Sequence, residues 1–134
     1  MKTRVPLWIN ILQIGILAIL TFQTYAFYLD LKLIYPGMVL DAATAKAVYA
    51  LAGRNAVMAA ISLVALVRQD PRFYSFAFLM HSLRELQDMF IVPLTREPGA
   101  VAIGIFFVFL FAFVIPEIMA YFKLKNLADE SAKR

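Results

Sequence analysis

Long apolar runs separated by short polar segments dominate the chain. They occupy residues 7–28, 44–67, 73–92 and 100–122, each close to the roughly 20 residues a helix needs to cross a hydrocarbon core. The breaks carry turn chemistry: Tyr35-Pro36-Gly37, then Gln69-Asp70-Pro71, then Pro93 with Glu97-Pro98-Gly99. The second and third connections are short, so successive helices are expected to run antiparallel. The pattern predicts an all-α fold: a single-domain, integral membrane, up-down four-helix bundle. A charged tail over residues 123–134 follows the last run.

Polar residues inside these runs are the informative ones, because an ionised group at mid-depth costs at least about 2.5 kcal/mol. The third run holds most of them. At 3.6 residues per turn, Tyr74, Ala77, His81, Arg84, Glu85 and Asp88 share a face about 100° wide, which is expected to point inward. Arg54 and Asn55 lie near the midpoint of the second run, and Glu85 and Asp88 fall within about 9 Å of the centre of theirs. Two cations and two anions therefore occupy overlapping depths, and pairing is the cheap way to bury them. Arg54 is expected to reach Glu85 across the second and third helices, with Arg84 and Asp88 able to pair along one helix.

The other runs are milder. In the first, Asn10, Gln13, Leu17, Thr21, Thr24 and Tyr28 form a polar stripe expected to face inward. In the second, Ala52, Asn55, Ala59 and Ser62 make a small-residue seam with Asn55 placed to bond across it. Phenylalanines 106, 107, 109, 111 and 113 surround the fourth, as core or lipid contacts or as a wall for an apolar ligand. Its one charge, Glu117, reads as an interfacial cap or a partner of Lys123.

Composition sharpens the class: of 134 residues, 63% are hydrophobic and 16% charged, well away from the balance of a soluble domain. With no cysteine and one histidine, disulfides, thiolate metal sites and multi-histidine metal or haem sites are excluded within one chain, and no metal or cofactor is expected. Lys2, Arg4, Arg68, Arg72, Lys123, Lys125, Lys133 and Arg134 fall on one side, against Lys32, Lys46 and Arg96 on the other. Eight against three predicts cytoplasmic termini, and the basic balance is absorbed by topology rather than nucleic-acid binding. Lys2 and Arg4 before an apolar stretch could open a signal peptide ending near Thr24-Tyr25-Ala26. The stretch outruns a typical h-region of about 7 to 15 residues and holds Asn10 and Gln13, so it is read as a first span.

The segments Ala52-Gly53-Arg54-Asn55-Ala56-Val57-Met58 and Arg84-Glu85-Leu86-Gln87-Asp88, in a short four-span chain, resemble the DoxX-like superfamily of small membrane proteins over the last three spans. The resemblance implies a four-helix bundle with a polar interior. Its members are variously linked to quinol oxidation, receptor assembly and unknown roles, so it does not choose a chemistry. Emopamil-binding and sterol-isomerase-like proteins, which are longer, are a second fold-level likeness through their intramembrane acids.

Three functional classes follow. One is a binding protein in a bacterial inner membrane, holding an isoprenoid, quinone or sterol-like molecule by its polar end through Arg54, Asn55, Arg84, Thr24, Tyr28 or Tyr74. Another is an isomerase or cyclase in which Glu85 or Asp88 donates a proton and His81 or the other carboxylate accepts it. The third is an accessory or assembly subunit, acting as a homo-oligomer or with a membrane-protein partner, whose charges only fix helix register. His81 on its own reads more readily as a hydrogen-bonded packing residue than as a proton shuttle. Four helices with nearly balanced charges argue against a channel or transporter.

Overall fold

Aspartates mark where two of the long helices begin. The structure, a computed structural model, describes residues 5–34, 37, 39, 41–95, 104 and 107–132. Every regular element among them is helical: α1 (Leu7–Leu29), a 3-10 turn (Leu31–Leu33), α2 (Ala42–Arg68), α3 (Pro71–Thr95) and α4 (Phe107–Ala132). Within α4, Leu110–Val114 forms a π-helical turn and Ile115–Ala132 is regular α-helix. The expected turn residues Tyr35, Pro36 and Glu97-Pro98-Gly99 lie outside the described residues. So do Phe106 and the topology charges Lys2, Arg4, Arg96, Lys133 and Arg134.

Local chemistry accounts for the boundaries. The Thr44 amide donates to Asp41 Oδ1 at 2.7 Å, and the Ala45 amide to the Asp41 carbonyl at 2.8 Å. Asp41 thus caps α2, and its anion suits the positive end of the helix. Thr44 donates to it from backbone and side chain, which holds its carboxyl below the usual range. At the other end Gln69 takes the left-handed conformation, φ 52°, the usual way to close a helix. Asp70 then caps α3, accepting from the Arg72 amide at 2.9 Å. Pro71 fills the first helical position, where its missing N–H costs nothing.

The π-turn has a cause in the next residue but one. Pro116 has no amide to offer the carbonyl four residues back, and its ring crowds that turn. The Ile115 amide instead donates to the Leu110 carbonyl, five residues back, widening the helix just ahead of the proline.

Three helices, α1, α2 and α4, are long and apolar enough to cross a membrane. With 25 residues α3 has the length, but Arg84, Glu85 and Asp88 in its middle make it far more polar than the others. Polar groups are buried beside an otherwise apolar core, and many large apolar side chains lie on the outside. Gln13, Asn55, Ser62, His81, Glu85 and Glu117 are buried, while Leu7, Ile11, Val57, Val67, Phe90 and Phe111 are among the most exposed side chains. Such an arrangement suits a hydrocarbon solvent. Hydroxyls that need a partner there find one in their own helix: Thr21 donates to the Leu17 carbonyl, Thr24 to Leu20, Ser62 to Met58 and Ser82 to Phe78, at 2.7–2.9 Å.

The chain divides into two units, Pro6–Arg68 and Gln69–Arg134 with Met1–Val5. In the first, α1 packs along α2. Ile9, Gln13, Ile16, Leu20 and Phe27 form the buried face of α1, and Val48, Ala52, Asn55, Met58, Ser62 and Ala65 that of α2. The expected small-residue seam is therefore present. Of the expected stripe on α1 only Gln13 is fully buried: Thr21 and Tyr28 are exposed and Asn10, Leu17 and Thr24 half-buried. The buried face lies about 80° around the helix from the predicted one. Back-bonding explains the shift, because Thr21 and Thr24 satisfy their hydroxyls locally and need no polar interior. In the second unit α3 packs along α4.

Candidate functional site

The sequence candidates fall into both units. Arg54, Asn55, Thr24 and Tyr28 belong to the α1/α2 pair, and Tyr74, His81, Arg84, Glu85 and Asp88 to the α3/α4 unit.

In the α1/α2 pair Asn55 is almost wholly buried, and its Nδ2 donates to Gln23 Oε1 of α1 at 3.1 Å. That is the cross-seam bond expected of it. Arg54 is half-buried beside it. Thr24 and Tyr28 lie with Thr21, Tyr25, Ala56 and Ala59 along an open, almost wholly apolar groove of about 460 Å³. The Tyr28 ring stacks on Tyr49, centroids 5.9 Å apart. A β-carbon added at Gly53 would come 3.7 Å from the Tyr28 hydroxyl, an ordinary contact.

The α3/α4 unit holds the chemistry. Along α3, Tyr74, Ala77, Phe78, His81 and Glu85 are buried at 0–1% exposure, on the face the periodicity predicts. An aromatic ladder leads down it. Gln69 Nε2 donates to the Tyr74 hydroxyl at 3.2 Å, Tyr74 stacks on Phe78 at 6.2 Å, and Phe78 meets the His81 ring edge-on at 6.4 Å. Arg84 and Asp88 sit at the margin of this face, both half-buried.

Glu85 Oε1 pairs with the Arg84 guanidinium. This cation comes from the same helix, one residue away. The buried face of α4 runs Val114, Glu117, Ala120, Leu124 and Ala128, and Glu117 is fully buried. Arg84 acts electrostatically on both Glu117 and His81. Neither Glu117 oxygen has a hydrogen-bond partner among the described residues, and Glu85 Oε2 has none either.

Glu117, read from the sequence as an interfacial cap or a partner of Lys123, is fully buried within the α3/α4 unit. The spacing Val114, Glu117, Ala120, Leu124, Ala128 was the available signal, since it marks one helical face. No group of three or more metal-ligating side chains occurs among the described residues. No family model, curated protein or solved structure matches the chain.

Proposed function

We propose that the chain is a four-span protein of a bacterial inner membrane, with both termini cytoplasmic, that binds a lipophilic molecule by its polar end. In this reading α3 is the fourth span, tolerated because its charged face turns away from lipid. The DoxX-like resemblance fits a four-span chain with a polar interior.

One observation carries the reading: Glu117 is fully buried with no hydrogen-bond partner for either oxygen. A network serving only to fix helix register would satisfy its own acceptors, since an unsatisfied buried polar group is costly. A polar group of a bound molecule would give Glu117 the partner that burial calls for. Mass spectrometry of lipids extracted from the purified protein tests this. One defined isoprenoid, quinone or sterol-like species, enriched over the bulk membrane, is expected; bulk phospholipid alone would overturn the reading and favour an accessory subunit.

A second reading, acid/base isomerisation or cyclisation of such a molecule, draws support from the burial of His81 and Glu85 on one face beside Arg84. Glu85 suits the proton donor better than Asp88, which is half-buried.

A further inference from the structure

The outward side of α3 carries a polar group that a surface facing lipid should lack. Phe76, Leu79, Leu83 and Phe90 are exposed, and Gln87 is exposed among them. At 100° per residue the five lie within about 80° of one another, and Gln87 is about 160° around the helix from the buried Glu85. We propose that this face joins two copies of the chain in a parallel, two-fold dimer, with the Gln87 amides hydrogen-bonded to each other. The inference rests on α3 being a membrane span, as in the reading above, and goes beyond it by naming a protein partner.

Depth is what makes the amide informative. Gln87 stands four residues beyond the middle of Pro71–Thr95, about 6 Å from the centre of a hydrocarbon layer whose edge is roughly 15 Å out. Lipid tails offer it neither donor nor acceptor, and leaving both unmet is costly. The side chain is also poorly placed to reach the nearer surface. Helical side chains lean toward the N-terminus, which aims Gln87 back toward the middle of the membrane. Among the described residues Gln87 makes no hydrogen bond.

A second copy supplies what the position needs. Copies inserted with one topology hold α3 at the same depth and in the same direction, so in a two-fold pair a residue near the axis meets itself. A charged side chain would repel its counterpart there. An amide is self-complementary: the Oε1 of each accepts from the Nε2 of the other, and no charge is buried. The apolar neighbours suit a helix seam, since Phe76, Leu79, Leu83 and Phe90 follow one another at three, four and seven residues.

The chain has no cysteine, so a single introduced one can form a disulfide only between copies. The full chain carrying Leu83→Cys, with Gln87 intact, is oxidised with copper phenanthroline in phospholipid vesicles at low protein density. A disulfide-linked dimer is expected, and Val57→Cys, exposed on α2, should crosslink far less. Adding Gln87→Leu to Leu83→Cys should weaken dimerisation by about fivefold or more, the scale of a hydrogen bond between helices in a membrane. Crosslinking at Leu83→Cys no better than at Val57→Cys overturns the dimer, and is what a face covered by lipid or by another part of the same chain would give. Undiminished crosslinking with Gln87→Leu overturns the amide pair, and should that variant fail to fold, Gln87→Asn, which keeps a shorter amide, should retain part of the crosslinking that Gln87→Ala loses. Reporters inserted in the Gln69-Asp70 turn and at Gly99 separate the two readings. Both on one side of the membrane remove α3 as a span; on opposite sides, with no crosslink, they remove the dimer alone.

Discussion

Arg84 on α3 pairs with Glu85 beside it and also acts on Glu117 of α4. Removing the guanidinium leaves two buried carboxyls short of a cation. Arg84→Ala should therefore destabilise the protein by about 3 kcal/mol or more in detergent unfolding titrations, and Arg84→Ala with Glu85→Ala should cost less than the sum of the two. Strict additivity would mean that the pair is not coupled.

The carboxyls separate binder from enzyme. Glu85→Gln keeps size and most hydrogen-bonding capacity but removes the dissociable proton. If the site only binds, the copurified molecule stays with modest loss. If the site catalyses, turnover of that molecule falls by at least about a hundredfold while binding persists. Wild-type turnover in Glu85→Gln and Asp88→Asn alike would end the acid/base reading.

Alanine and glycine at neighbouring positions of α2 predict opposite outcomes. Ala52 is fully buried in the seam, so Ala52→Leu should overpack it and cost about 1–3 kcal/mol. Gly53 faces open space apart from the Tyr28 hydroxyl at 3.7 Å. Gly53→Ala should be neutral or stabilising by up to about 1 kcal/mol, since glycine is a poor helix former. Thermal unfolding of both variants checks the contrast, and a destabilised Gly53→Ala would refute the α1/α2 packing described.

The α2 cap should be pH-dependent. The Asp41 carboxyl is held low by the Thr44 donors, so its contribution is complete above the ordinary carboxyl range and disappears as the pH falls through the lowered folded value. Amide exchange at Thr44 and Ala45 should quicken relative to mid-helix amides on acidification, and Asp41→Ala should abolish that response. Unchanged exchange in the variant would argue against the cap.

Topology is checked by reporters. Fusions after Arg134 and within the Gln69-Asp70 turn should read cytoplasmic, and one at Gly37 should read exported. A cytoplasmic reporter at Gly37 would remove the four-span arrangement.

How much of this was legible from the residues depended on how each side chain satisfies itself. The face of α3 was readable because Tyr74, Ala77, His81 and Glu85 cannot serve themselves and must turn inward together. The face of α1 was misread because Thr21 and Thr24 look polar in a pattern yet close their hydroxyls on their own backbone. Asn55 was foreseen as a bond across the seam, though its partner Gln23 was not. The burial of Glu117 escaped because a lone charge late in an apolar run reads as a surface residue, whereas it shares a helical face with Val114, Ala120, Leu124 and Ala128.

The π-turn at Leu110–Val114 has a consequence for phase. Five residues in a widened turn shift every position upstream relative to every position downstream, so the bulge fixes which way Phe107 and Phe109 look while Glu117 looks toward α3. Deleting one residue from that turn would restore plain α-helical winding with the two segments close to their present phase, whereas losing the bulge with every residue kept would swing one segment by up to about 100° against the other. The proline thus acts as an angular offset written into the chain, coupling the orientation of an aromatic wall to that of a single buried acid.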